Sequence, residues 1–442
     1  MAKVIKLRKG LDVKLKGTAA LETVAVKMSG EYALCPDDFC GVKPKPVVKE
    51  GDAVKVGDAL FVDKLHPEVK FVSPVSGAVS LIERGDRRKL LSIRVKADGK
   101  QTARKFDVKG DVKALMMESG LFGMMLQRPY AVVPSPEDKP KAIFVSAFNS
   151  MPLAQDFEYV LEGQETEFQS GITALSKLAG VYLGVSSKQK AKALLEAKNC
   201  EVNVFEGPAP AGNVGVQINH INPVNKGEVV WTMAPEVVIM LGRLINSGEV
   251  DFTRTIAVAG SEVKAPKYAK VIVGAKLSDV LEGQIDKSAN NRIIDGNVMT
   301  GLKSSLDGFL GAQTTEVNVI PEGDDADEML GWIMPRLKQF SVNRSYFSWL
   351  LGKKEYEADA RIKGGERHII MSGEYDKVLP MDIYGEYLIK AIITGDIDRQ
   401  EALGIYEVAP EDFALAEFVD SSKLELQRIV REGLNILRKE NS

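Results

Sequence analysis

From residue 141 onward, short apolar runs alternate with amphipathic ones. That alternation constrains the fold more than any other feature of the chain. Ala142-Ile143-Phe144-Val145-Ser146, Gly180-Val181-Tyr182-Leu183-Gly184-Val185 and Cys200-Glu201-Val202-Asn203-Val204-Phe205 are of strand length, the first two largely apolar. Strands apolar on both faces belong in a parallel sheet covered by helices. Helices are predicted over 168–179, 187–197 and 235–245, the second with Ala191, Leu194 and Leu195 on one face. Strand, helix, strand in this order predicts a doubly wound, Rossmann-like core. Its ligand crevice should lie at the carboxyl ends of the strands, at Ser146 and Val185.

The preceding segment has a different rhythm. Gly51-Asp52 and Gly57-Asp58 are turn dipeptides, and Ser73-Pro74-Val75-Ser76-Gly77 is a further turn, with short extended units between them. This spacing resembles the barrel-sandwich of biotinyl and lipoyl carrier domains. Lys64, in the hairpin Asp63-Lys64-Leu65-His66-Pro67, stands near the carrier lysine but without the usual flanking residues, so an unmodified barrel-sandwich is expected. Met-rich residues 112–125 read as a helix ending near Arg128-Pro129, and Pro134, Pro136 and Pro140 mark a linker. The prolines and asparagines of 207–225 predict a loop system. Strand, strand, short helix, strand after residue 253 suggests a β-grasp unit. The remainder reads as helical, with capping-box candidates at Asp398/Glu401 and Ser422/Glu425. Its last stripe is Leu426, Ile429, Val430, Leu434 and Leu437. The expected class is therefore multidomain α/β: a barrel-sandwich N-terminal domain (1–98), a helix and Pro-rich linker (99–140), a Rossmann-like core (141–253), a β-grasp domain (254–322) and a C-terminal helical domain (323–442).

Composition removes several function classes. With 58 Lys+Arg against 61 Asp+Glu the net charge is -3, which gives no polybasic footprint for nucleic acid. No run approaches the roughly 18 apolar residues of a membrane span. No apolar stretch follows the basic first ten residues, so no secretory signal is expected. Three cysteines, Cys35, Cys40 and Cys200, form no Cys-x-x-Cys and suit a reducing compartment. Gly-x-Gly-x-x-Gly, the P-loop and Gly-x-Ser-x-Gly are all missing from the sequence.

Longer motifs carry a resemblance. Val47-Val48-Lys49-Glu50-Gly51-Asp52, Ser146-Ala147-Phe148-Asn149-Ser150-Met151-Pro152, Gly207-Pro208-Ala209-Pro210-Ala211-Gly212-Asn213, Trp231, Asp295-Gly296-Asn297-Val298-Met299-Thr300-Gly301 and Phe340-Ser341-Val342-Asn343-Arg344 are similar to the family of the A subunit of the bacterial Na+-translocating NADH:quinone oxidoreductase. That family is related to the C subunit of the Rnf complex and to the flavin subunit of complex I. Here Gly120-Leu121-Phe122-Gly123-Met124 lacks a basic phosphate cradle, and no cysteine follows Cys200. The resemblance therefore implies a cofactor-poor chain with no tightly bound cofactor and quinone as the candidate ligand. NADH, flavins and Fe-S clusters would be handled by the B to F partner subunits. It also implies a peripheral position on the cytoplasmic face of the bacterial inner membrane. Ala209, Gln217 and Asn219 stand where family members carry histidines.

No catalytic residue or metal ligand is assigned. The resemblance points to Asn149 and Asp156, after the first core strand, as lining a vestigial flavin pocket open to quinone. The plainer alternative for the two is an Asx turn and a helix cap. Trp332, Phe340, Arg344, Phe347 and Trp349 are candidates for docking on membrane subunits, since aromatics and Arg are enriched at interfaces. The alternative is an inter-domain packing helix. Two functions stay open. One is a component of a redox-driven sodium pump that assists its quinone site or its assembly. The other is a stand-alone ligand-binding or scaffold protein without redox role.

Overall fold

The computed structural model describes residues 3–324, 333–352 and 354–441. At its centre is a six-stranded sheet. Its order is Lys3–Lys6, Glu201–Glu206, Val181–Ser186, Ala142–Ser146, Val230–Met233 and Met125–Arg128. The first five strands are parallel and the last is antiparallel. Alternation of side chains across a strand separates two cores. Ile143 and Val145 join Phe168, Ile172 and Val238 on one face. Ala142 and Phe144 join Ile218 and Val230 on the other. Helices Glu165–Leu175 and Pro235–Ser247 cover the first face, and helix Val214–Ile221 the second.

Two small antiparallel sheets precede it. One runs Glu31–Leu34, Leu90–Ala97, Gly77–Arg84, Ala53–Val54, and the other Pro44–Pro46, Ala59–Asp63, Lys70–Val72. Phe39, Phe61 and Phe71 cluster in the core here, Phe61 and Phe71 stacked at 4.6 Å between ring centres and Phe39 tilted against Phe71 at 4.5 Å. Lys64 sits exposed on the hairpin, where the buried Asp63 carboxylate accepts from Lys43 and Leu65 N–H and closes the turn. A further six-stranded sheet runs Leu302–Ser304, Asn291–Asp295, Glu316–Pro321, Thr253–Ala259, Lys267–Ile272, Ala20–Ala25. The last described region is helical from Tyr375, ending in Leu426–Glu440, whose Leu426, Val430, Leu434 and Leu437 are buried.

Several local expectations change. The 112–125 helix stops at Ser119, because Gly120 takes φ +83° as its left-handed cap. Met125–Arg128 is a strand instead. The predicted loop system at 207–225 contains helix Val214–Ile221, whose apolar Val214, Ile218 and Ile221 recur at helical spacing. The 187–197 helix shrinks to Lys192–Leu195. Neither capping box forms as expected: Asp396 caps Ile397–Ala402, and Ser422 Oγ donates to the carbonyl of His368.

Candidate functional site

Strand order reverses once in the central sheet. From Ala142–Ser146 the chain moves outward through Val181–Ser186 to Glu201–Glu206. It then returns to lay Val230–Met233 on the opposite side of Ala142–Ser146. At such a switch point the connecting loops part in opposite directions and leave a crevice at the strand carboxyl ends. A cavity of about 290 Å³ lies there, lined by Ser146, Phe148, Asn149, Thr232, Met233 and Glu236 among others. That is the low end of small-molecule sites and has room for about one ring system. Its walls are largely apolar, with Met124, Leu126, Met151 and Phe157 contributing. Ser146 lines the cavity as expected. Val185 does not, because the crevice opens on the Val230–Met233 side of Ser146.

A hydrogen-bonded frame fixes the loops. Ser146 Oγ donates to the carbonyl of Gly212 at 2.8 Å and accepts from Gln217 Nε2 at 2.8 Å. Helix N-termini with free N–H groups attract anions. At helix Val214–Ile221 the group beside the first turn is the chain's own Asp412 carboxyl. Asn213 Nδ2 donates to the Glu411 carbonyl at 3.0 Å. The Asp412 carboxylate lies so close to Gly215 that a Cβ there would collide with it. Buried Arg128 donates to Glu411 at 2.6 Å and to Asp412 at 3.2 Å. Glu411 also lines the crevice, so the helical region closes one of its ends.

Another part of the lining is acidic and buried. Glu236 follows Pro235 at the start of helix Pro235–Ser247, and burial pushes its carboxyl up. Gln155 Nε2 donates to Glu236 Oε1. Burial likewise raises Glu316, which accepts from Asn297 at 3.0 Å and from Thr315 at 2.6 Å. Arg254 lies near; burial pulls it down to about 10, and it donates to the carbonyls of Ala312 and Thr314. Beside this lies a second hollow, lined by Asp38, Asp295, Asn297 and Glu316, with burial pushing Asp38 up to about 6. Among the described residues no three His, Cys, Asp or Glu side chains group to hold a metal.

The sequence-derived candidates fall in different places. Asn149 is exposed at the rim of both hollows, and its Oδ1 accepts from Met151 N–H at 2.9 Å. Asp156 is not part of the crevice lining. It caps helix Phe157–Leu161 by accepting from Glu158 N–H at 2.9 Å. Trp332 lies outside the described residues. Phe340 packs inward on Tyr356 and Phe418, at 5.4 and 5.8 Å between ring centres. Phe347 and Trp349 are exposed on the short 3-10 helix Phe347–Leu351, with the Arg344 guanidinium 5.2 Å from the Trp349 ring. Gln155, Thr232, Glu236 and the Arg128–Asp412 pair escaped sequence reasoning. Pro235-Glu236, directly after an apolar strand, was the one signal for a helix start aimed at the crevice.

A parallel sheet with a one-ring crevice at its switch point, small antiparallel sheets before it and a helical region closing it behind define a multidomain α/β protein. Three family patterns match: the NqrA N-terminal barrel-sandwich hybrid domain over residues 5–98, the NqrA second alpha/beta domain over 108–250 and the NQRA C-terminal domain over 255–305. The A subunit of the Na+-translocating NADH-quinone reductase of Yersinia pestis bv. Antiqua is 34% identical over 99% of this chain and 100% of its own length. The same subunit of Neisseria meningitidis serogroup C is 34% identical, and that of Haemophilus influenzae 35%, each with the same coverage. The chain belongs to the NqrA family, the A subunits of the Na+-translocating NADH-quinone reductases.

Proposed function

We propose that this chain is a peripheral subunit of a Na+-translocating NADH-quinone reductase, and that its switch-point crevice shapes the site of a quinone head group. One observation carries the reading: a one-ring, largely apolar cavity at the strand ends of a chain that matches such subunits over 99% of its length. A quinone head group is a single flat ring or a fused pair bearing two carbonyls, and it needs apolar walls and a few polar atoms. Asn149 stands at the mouth of the crevice. In this reading the parallel sheet is a Rossmann-like core, the sheet around Thr253–Ala259 is a β-grasp unit, and the domains divide near 98, 140, 253 and 322, except that Lys3–Lys6 and Met125–Arg128 join the central sheet and Ala20–Ala25 the β-grasp sheet across those divisions. Flavins, Fe-S centres and NADH belong to the B to F partner subunits, and the chain sits on the cytoplasmic face. No helix of the described residues is long and apolar enough to cross a membrane, so the membrane subunits supply the attachment.

The docking face is the exposed turn at Phe347–Leu351. Phe347 is 56% and Leu350 61% exposed, an arrangement that wastes apolar surface unless something covers it. Trp349→Ala is expected to leave the melting temperature of the isolated chain unchanged. It should weaken assembly with the membrane subunits by about 2 kcal/mol, roughly thirtyfold, if Trp349 is an anchor of hot-spot quality. Melting curves and a binding titration measure both. A mutant that unfolds, or that assembles with wild-type affinity, removes the docking face from the account.

A further inference from the structure

One end of the crevice has hydrogen-bonding capacity that the chain leaves unused. Gln155 and Glu236 both line the cavity, and they are only 6% and 4% exposed. They bond to each other through Gln155 Nε2 and Glu236 Oε1. Their other oxygens, Gln155 Oε1 and Glu236 Oε2, have no partner among the described residues. Buried polar atoms without partners are costly in folded proteins, and these two differ from other such atoms of the chain, such as those of Asn203 and Tyr375, in lying on residues that line the crevice. The rest of the lining is suited to a flat ring, with Phe148, Met151, Phe157 and Met233 around it.

We propose that the Gln155–Glu236 pair is the polar pole of the quinone site, with Glu236 Oε2 meeting one ring oxygen. The inference rests on the quinone reading above and deepens it. A quinone offers carbonyl acceptors and its reduced form offers hydroxyl donors. A carboxyl group serves both: neutral, it donates to the carbonyl; ionised, it accepts from the hydroxyl. Burial raises the Glu236 carboxyl and so favours the donor form. The residue's own backbone N–H opposes this, as do Arg254, on Thr253–Ala259, and the Gln155 amide, whereas Glu316, on the strand Glu316–Pro321, pushes the same way as burial. Gln155 holds Oε1 of Glu236, so the free oxygen keeps its direction.

The test is calorimetric titration of the full chain with ubiquinone-1 across pH, using wild type, Glu236→Gln, Glu236→Leu and Gln155→Leu. Wild type should bind oxidised quinone best at low pH and weaken as the pH rises through the elevated Glu236 value. Glu236→Gln keeps a donor and should bind without that pH dependence. Glu236→Leu and Gln155→Leu should each bind about tenfold more weakly, the loss of one well-made hydrogen bond. Should a leucine variant fail to fold, the flat pH profile of Glu236→Gln still decides. If Glu236→Gln retains the wild-type pH profile, or the leucine variants bind like wild type, the pole is elsewhere and the quinone reading survives. If wild type binds no ubiquinone-1 at any pH, the quinone reading falls and the pole with it.

Discussion

Arg128→Ala is expected to destabilise the protein by about 3–5 kcal/mol, because it strands a buried carboxylate. Arg128 is 1% exposed and Asp412 2% exposed, and the pair joins the edge strand Met125–Arg128 to the C-terminal helical region. Burial pushes Asp412 up to about 6 even with the guanidinium beside it. Without Arg128 the carboxylate keeps one bond, from the Ala409 N–H at 2.9 Å. The cost should depend on pH in a definite direction. A carboxyl raised in the folded state holds its proton there after the unfolded chain has lost it. Folding stability therefore falls as the pH rises from the unfolded value near 3.8 through about 6. Removing the guanidinium raises the carboxyl further, so the deficit of Arg128→Ala should be largest above that still higher value and shrink as the pH falls back toward about 6 and the stranded group becomes neutral. Urea unfolding at about pH 5 and about pH 8 measures it. A loss below about 1 kcal/mol, or a deficit that grows on acidification, would falsify this account of the pair.

Trp231→Ala is expected to cost a similar amount, about 3–5 kcal/mol, the usual range for emptying a large aromatic site. Trp231 is 1% exposed on the strand Val230–Met233, between Ile143 on one neighbour and Gln127 on the other. Its ring meets Phe122 edge-on at 5.5 Å, and its indole N–H donates to Gln127 Oε1 at 3.1 Å. Truncation opens a cavity and leaves that amide oxygen without its donor, so two penalties add. Trp231→Phe keeps most of the volume and should lose about half as much. Because Thr232 and Met233 follow on the same strand, the alanine variant should also loosen the crevice. Paired denaturation curves decide: equal stability for alanine and phenylalanine variants would mean the ring is not packed as described.

Much of the central sheet was legible because its strands are short and apolar. Ala142–Ser146 and Val181–Ser186 follow their apolar runs closely. Its edge was not. Lys3–Lys6 pairs with Glu201–Glu206 across about two hundred residues, and its Lys-Val-Ile-Lys run, exposed except at Ile5, carries no sign of a partner. Ala20–Ala25 is exposed along its length and joins a different sheet for the same unsigned reason. Helix Val214–Ile221 was hidden by the prolines and asparagines before and after it. At the site, Asn149 makes the Asx turn, the plainer of its sequence readings, and the turn lies on the lining of the crevice. Glu236 could not be placed there, since an acid in the first turn of a helix is ordinarily a solvated partner of the helix dipole. Only the tertiary structure buries that carboxyl, with Gln155 bonded to it and the charges of Arg254 and Glu316 acting on it. Asp156 takes the plainer of its two sequence readings, the helix cap. Phe340 and Trp349 share one stretch, yet one ring packs inward and the other faces solvent.

Whether the crevice holds quinone is decided by a structure of the assembled reductase with a quinone analogue bound. The head group is expected between the Ser146–Asn149 turn and the Thr232–Glu236 segment, with one ring oxygen in hydrogen-bond reach of Glu236. An analogue held wholly by other subunits, with this crevice empty, would contradict that placement.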